Sequence, residues 1–196
     1  MRVYLVRHGQ SQGNVHFIPG AVRPKTDPLT ELGQKQAQQA ACLLKSQNIQ
    51  PTVVISSPYT RALDTAITIQ KELGLPLIED QRLGEYNPGD WDGTPIGEFT
   101  ERFNKLPINE RCTFRPPHGE SWLDEARRIN TVIKQAEANS HASIVLVSHY
   151  DPIRAVINLL TKQPSYAWNT LTEYPPGSVT TLDKNSDGWM LSLNQS

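Results

Sequence analysis

Apolar positions along the chain follow two rhythms that alternate. Short unbroken runs, VYLV at 3–6, TVVIS at 52–56 and SIVLVS at 143–148, read as strands covered on both faces, the first spanning 2–6. Between them the apolar positions recur every third or fourth residue. Gly33, Ala37, Ala40, Ala41 and Leu44 share one face of a helix of about sixteen residues, with Thr30 as its N-cap and Glu31 on the positive end of its dipole. In SPYTRALDTAITIQKELG the shared face is Ala62, Ala66, Ile69 and Leu73, and Gly74 closes the helix as a left-handed cap. LPLIED at 75–80 is a third, shorter strand. Residues 81–119 then lose periodicity and fill with Gly, Pro, Trp and Phe, which predicts a loop-rich insertion with short helical pieces. Trp122, Ala126, Ile129, Ile133 and Ala136 align over a helix at 120–138, and another helix follows from 152 to about 162. SVTTL and WMLSL, separated by DKNSDG, read as a hairpin or two edge strands. Strand and helix alternate, so the class is α/β with a layered sheet.

Composition narrows the partners. At 196 residues the chain fits one domain, or one domain with a sizeable insertion. Nineteen basic against twenty acidic residues leave a formal charge of −1, which argues against nucleic acid or a membrane surface as partner. Any anion site must therefore be local. Cys42 and Cys112 are far apart and outside any Cys/His cluster, which suits reduced thiols and not zinc. No signal-like or membrane-spanning stretch is present, so the expectation is a soluble, cytoplasmic protein.

Three strand ends carry the chemistry. The first run stops on Arg7 and His8, then enters Gly9; SIVLVS stops on His149, followed by Tyr150, Asp151 and Pro152; TVVIS leads through Ser57 and Pro58 to Arg61. Asp151 and Ser57 are the expected helix N-caps, with proline in each first turn. In open α/β sheets ligands bind beyond the carboxyl ends of the strands, and helix N-termini favour anions. If these strands are neighbours, two histidines and two arginines converge on one crevice. That cluster is costly unless an anion shares it. A metal ion is the rival occupant, but two guanidinium groups would repel a cation, so a phosphoryl group is preferred.

With these residues in view, the sequence resembles the histidine phosphatase superfamily, the phosphoglycerate-mutase-like fold. Arg7-His8-Gly9 matches its signature, continued by Gln10, Ser11 and Asn14. DPLTELGQKQA at 27–37, SSPYTRALDTA at 56–66, RLGEYNPGDWDG at 82–93, HGES at 118–121 and VSHYDPIR at 147–154 follow in the family's order. The resemblance implies a three-layer αβα domain over 1–196, with a mostly parallel sheet and 81–119 as a cap over the carboxyl ends of the strands. It implies that His8 is the nucleophile and forms a phosphohistidine. It also implies that Arg7, Arg61 and His149 hold the phosphate, with Asn14, Gln10 and the Tyr150 backbone as further donors. Glu85 matches the general acid, which must be protonated when the ester bond breaks and ionised when water attacks. Asp90 and Asp92 are competing carboxylates nearby.

Two departures stand out. The family commonly carries glycine where this chain has Tyr150 and Asp151, and again where it has His118. Tyr150 would narrow the pocket, Asp151 fits a cap turned away from phosphate, and His118 adds a donor on the substrate side. The mutases of the family are generally longer and have a tryptophan-containing continuation after the signature, which this chain lacks. The expected activity is therefore hydrolysis of a small phosphorylated metabolite, a phosphoric monoester hydrolase. Mutase-type phosphotransfer is the alternative, and a phosphate-binding module without turnover is a third reading. No metal or cofactor is required, so activity in EDTA is expected; a homodimer is compatible with the pattern. Arg23 and Lys25 would favour acidic substrates if they reach the pocket. Phe17, Tyr86, Trp91 and Phe114 either line it or, as the better reading, pack the insertion.

Overall fold

The computed structural model describes residues 1–15, 25–46, 51–169 and 173–192. In chain order its elements are β1 (Arg2–Arg7), α1 (Gln12–Val15), α2 (Glu31–Ser46), β2 (Val54–Ser56), α3 (Thr60–Leu73), β3 (Leu77–Glu79), α4 (Ile96–Asn104), α5 (Trp122–Ala138), β4 (Ser143–Ser148), α6 (Tyr150–Leu160), β5 (Val179–Asn185) and β6 (Gly188–Ser192). The strands form one mixed sheet in the order β3-β2-β4-β1-β5-β6. β1, β4, β2 and β3 run parallel; β5 pairs antiparallel with β1, and β6 antiparallel with β5. The α/β class, the layering and the largely parallel sheet expected from the sequence are all present.

Alternation within the buried strands decides which helices cover which face. Val3, Leu5, Ile55, Ile144 and Leu146 point toward Ile129 and Ile133 of α5 and Ile153, Val156 and Ile157 of α6. Tyr4, Val6, Val54, Val145 and Val147 point the other way, onto Ala40, Ala41 and Leu44 of α2 and Ala62, Ala66 and Ile69 of α3. The sheet is thus sandwiched between two helix layers, and emptying one central position, such as Leu146→Ala, costs about 2–5 kcal/mol.

Helix α2 buries the five residues expected of it, Gly33, Ala37, Ala40, Ala41 and Leu44. Thr30 caps it by accepting the Gly33 N–H at 3.0 Å. Gly33 has a second task, because a Cβ there would lie 2.0 Å from the carbonyl oxygen of Gln10. Reciprocally, a Cβ on Gly9 would lie 2.2 Å from the carbonyl oxygen of Gly33. The two backbones touch where the chain leaves β1, and no side chain fits between them.

Several boundaries differ from the sequence expectation. β2 and β3 are three residues each, and β3 is largely exposed at the sheet edge, with Ile78 at 52%. Helix α6 begins at Tyr150, with His149 as its N-cap, so Asp151 lies inside the first turn and receives Arg154 Nη2 at 2.9 Å. Helix α3 begins at Thr60 with Tyr59 as N-cap. Ser57 is not its N-cap; its hydroxyl accepts the Tyr59 N–H at 3.3 Å and also meets a histidine described below. Gly74 does close α3 in the left-handed conformation, φ 68°.

The segment 81–119 contains two single-turn 3-10 helices, at Gln81–Leu83 and Gly89–Trp91, and α4. Its first part meets the carboxyl end of β4, where Ser148 Oγ donates to the Leu83 carbonyl at 2.7 Å. Its aromatic rings pack on one another: Tyr86 and Trp91 against Phe99, Trp91 against Phe114, and Phe103 against Trp122. Tyr86, Trp91 and Phe114 therefore build the insertion; Phe17 lies outside the described residues.

Candidate active site

β2, β4 and β1 are adjacent and parallel, so their carboxyl ends open on one crevice. Arg7 ends β1 and His8 follows; Arg61 stands in the first turn of α3; His149 follows β4. His8, Arg61 and His149 are each no more than 1% exposed. The His8 and His149 ring centroids are 5.2 Å apart.

The ring of His8 is oriented from both sides. Its Nδ1–H donates to the carbonyl oxygen of Gly9 at 2.7 Å, since a carbonyl can only accept. That places the lone pair of the neutral ring on Nε2, where Arg61 Nε–H donates at 3.2 Å. Thr65, one turn beyond Arg61, ties the two strand ends together. Its hydroxyl accepts the Gly9 N–H at 3.1 Å and donates to the Arg61 carbonyl at 2.8 Å.

Glu85 closes the crevice from the insertion. Its Oε2 lies 3.8 Å from His149 Nδ1 and 4.0 Å from Arg61 Nη2, and its Oε1 accepts the Tyr86 N–H at 3.1 Å. Burial, reinforced by the Asp151 carboxylate, lifts its pKa to about 7, against the opposing pull of Arg61, the Tyr86 N–H and Arg7. His149 goes the other way. Burial first, then Arg61 and His8, hold it well below the ordinary imidazole value, so it is neutral near pH 7. Its Nε2 is 2.9 Å from Ser57 Oγ.

Arg7 is held by the Tyr174 carbonyl, which accepts from its Nη1 at 2.6 Å, and its guanidinium lies over the Tyr150 ring at 5.2 Å. These two residues, with Glu173, Tyr174 and Pro175, line a cleft of about 360 Å³. Tyr59 contributes a second aromatic wall, 5.1 Å from the His149 ring and 5.3 Å from the Arg61 guanidinium.

The structure thus gathers Arg7, His8, Arg61, Glu85 and His149. Tyr150 reaches this group through Arg7. Asn14 and Gln10 are held by their amide oxygens: Asn14 Oδ1 accepts the Ser11 N–H at 2.8 Å, and Gln10 Oε1 accepts from the Thr30 hydroxyl at 2.9 Å. Asp90 and Asp92 are exposed, and Asp90 pairs with His118 at 2.9 Å. Lys25 lies over the Tyr59 ring at 5.7 Å, whereas Arg23 lies outside the described residues. Ser57, Tyr59, Thr65 and Tyr174 escaped the sequence reading as site residues. Thr65 had a signal, its i, i+4 spacing from Arg61 on one helix face; the others become visible only in three dimensions. Among the described residues no cluster of three or more His, Cys, Asp or Glu could hold a metal ion.

An imidazole with a fixed tautomer, two guanidiniums and a carboxyl group held near neutral pKa can accept a phosphoryl group and deliver a proton beside it. A family model described as the histidine phosphatase superfamily (branch 1) matches residues 3–195. A Yersinia pestis (strain Pestoides F) protein named probable phosphoglycerate mutase GpmB is 31% identical, over 98% of this chain and 89% of its own length. Among solved structures, a mycobacterial glucosyl-3-phosphoglycerate phosphatase in complex with VO3 is 31% identical at a TM-score of 0.83, covering 100% of this chain and 99% of that one. The alpha-ribazole phosphatase from Shigella flexneri is 26% identical at 0.76, covering 100% and 96%.

Proposed function

The chain belongs to the histidine phosphatase superfamily, and from that premise we propose that it hydrolyses a small phosphomonoester through a phosphohistidine on His8. The observation that carries this reading is the pair of bonds on His8. Gly9 takes the proton of Nδ1, which leaves Nε2 as the only ring nitrogen with a lone pair, and that nitrogen faces Arg61.

In the first step the Nε2 lone pair forms a bond to phosphorus and the bond to the ester oxygen breaks. Glu85, protonated below its pKa of about 7, delivers its proton to that oxygen so that a neutral alcohol leaves. Arg7, Arg61 and neutral His149 donate to the phosphoryl oxygens, where charge is spread during transfer. In the second step Glu85, now a carboxylate, takes a proton from water as that water attacks phosphorus. The P–N bond breaks, phosphate forms, and Nε2 regains its lone pair. A carboxyl poised near neutrality serves both directions.

The phosphatase neighbours support hydrolysis. A second reading, transfer to another hydroxyl, is favoured by the relative named probable phosphoglycerate mutase. The test is phosphate release from p-nitrophenyl phosphate by the purified protein and its His8→Ala variant. Turnover that vanishes in the variant is expected; vanadate binding without turnover would sink the proposal. With 3-phosphoglycerate and 2,3-bisphosphoglycerate, isomerisation faster than hydrolysis would replace it with the mutase reading.

A further inference from the structure

Glu85 stands on a loop with no regular backbone pairing, yet its two carboxylate distances require that loop to be fixed. The loop is anchored at its carbonyls. Ser148 Oγ holds the Leu83 carbonyl at 2.7 Å. Arg128, on α5, reaches across with its guanidinium fork, Nη1 donating to the Arg82 carbonyl and Nη2 to the Glu85 carbonyl at 3.2 Å. The same guanidinium is gripped by Glu120 through Nε and Nη2, both at 3.0 Å. Glu120 is itself stitched to the far side of the loop, because its Oε1 accepts the Asn87 N–H at 2.9 Å and its own N–H donates to the Asn87 carbonyl at 2.9 Å. Arg128 is 21% exposed and Glu120 18%, so the pair is largely withdrawn from water.

We propose that Arg128, held by Glu120, is the positioning residue for Glu85, setting where that carboxyl meets the leaving oxygen without touching substrate itself. This rests on the phosphatase reading above. A planar guanidinium can serve two carbonyls and a carboxylate at once; a lysine ammonium cannot match that fork. Displacement of a reacting group by about 1 Å costs on the order of 10²-fold in rate. Arg128 also interacts electrostatically with Glu85. The charged and titratable groups facing that carboxyl include Tyr59 and Arg61 at the start of α3, His149 and Asp151 from the β4–α6 junction, Arg7 from β1, and Arg128 and Glu125 from α5. Glu125, fully buried with Arg128 Nη2 3.5 Å away, has one carboxylate oxygen without a hydrogen-bond partner among the described residues. It occupies the space behind the clamp.

Leaving-group dependence tests this. A poor alkoxide leaving group needs the proton from Glu85, whereas 2,4-dinitrophenolate departs without it. Arg128→Met is expected to lower kcat/KM, which reports the step that expels the alcohol, by on the order of 10²-fold for β-glycerophosphate, to leave kcat/KM for 2,4-dinitrophenyl phosphate within a few-fold, and to leave vanadate inhibition unchanged. A merely structural role would lower both substrates together, and equal losses overturn the proposal. Should Arg128→Met not fold, Glu120→Gln reads the same ratio: a selective loss on the alkyl ester supports the clamp and parallel losses overturn it. Wild-type protein that turns over neither ester would instead overturn the phosphatase reading beneath it.

Discussion

Arg61 donates to His8 across 3.2 Å, from Nε of one side chain to Nε2 of the other, and neither side chain is exposed by more than 1%. A buried guanidinium aimed at the one basic ring nitrogen is a preset cation for whatever that nitrogen receives. Arg61→Lys keeps the charge but loses the planar fork, so kcat/KM is expected to fall by about 10²–10³-fold. Steady-state kinetics on p-nitrophenyl phosphate measure it, and a change under threefold would mean that Arg61 does not serve the transferred group.

Glu85 gives a pH signature. With its pKa near 7, the rate of phosphorylation of His8 should decline on the alkaline side with an apparent pKa close to that value. Glu85→Gln is expected to lower kcat on alkyl phosphates by about 10²–10⁴-fold and to abolish that limb. Rapid-quench measurement of the phosphoenzyme across pH 5–9 is the check; an unchanged alkaline limb in the variant would assign it to another group.

The same carboxyl links stability to pH. Its unfolded value is 4.5 and its folded value about 7, so between them the native state holds a proton that the unfolded state has released. Stability contributed by Glu85 is whole below pH 4.5 and is lost as pH rises through 7, by at most roughly 3 kcal/mol. Glu85→Gln should therefore gain Tm relative to wild type from pH 5 to pH 7.5 and level off above. His149 acts oppositely, costing stability as pH falls below 6.5, but it is common to both proteins. Thermal melts at a series of pH values decide; a Tm difference independent of pH would refute the buried-carboxyl account.

Gly33 predicts a packing cost. Gly33→Ala would drive a methyl to 2.0 Å from the Gln10 carbonyl, which is backbone and cannot swing aside. Overpacking of this kind costs about 1–3 kcal/mol, each kcal/mol lowering Tm by about 2–4 °C at this chain length. Denaturant unfolding measures it. Because Gly33 also abuts Gly9, activity should fall more than stability alone explains.

Much of this was legible in the sequence because its signals were local. Five small or apolar residues at helical spacing specified the buried face of α2, and Gly74 marked the end of α3. Arg7, His8, Arg61 and His149 were legible because three strands ended on them and the parallel order made those ends neighbours. Ser57 and Asp151 were misread as caps for a physical reason. Each helix boundary falls elsewhere: α3 begins two residues later than a Ser57 cap requires, the Ser57 hydroxyl being shared between the Tyr59 N–H and His149 Nε2, and Asp151 lies inside α6, paired with Arg154. The loop-holding role of Arg128 and Glu120 was illegible because the loop groups they hold are backbone carbonyls and an amide more than thirty residues away, which leave no trace in residue type.

The Gly9 carbonyl that takes the His8 proton belongs to the main chain. Substituting any neighbouring side chain leaves that acceptor in place, so ring polarity is inherited with the backbone trace and not with the surrounding residue choices. Selection can then rewrite the walls around the crevice, Tyr150 and Tyr59 among them, and change which molecules enter, while the reactive nitrogen keeps its heading.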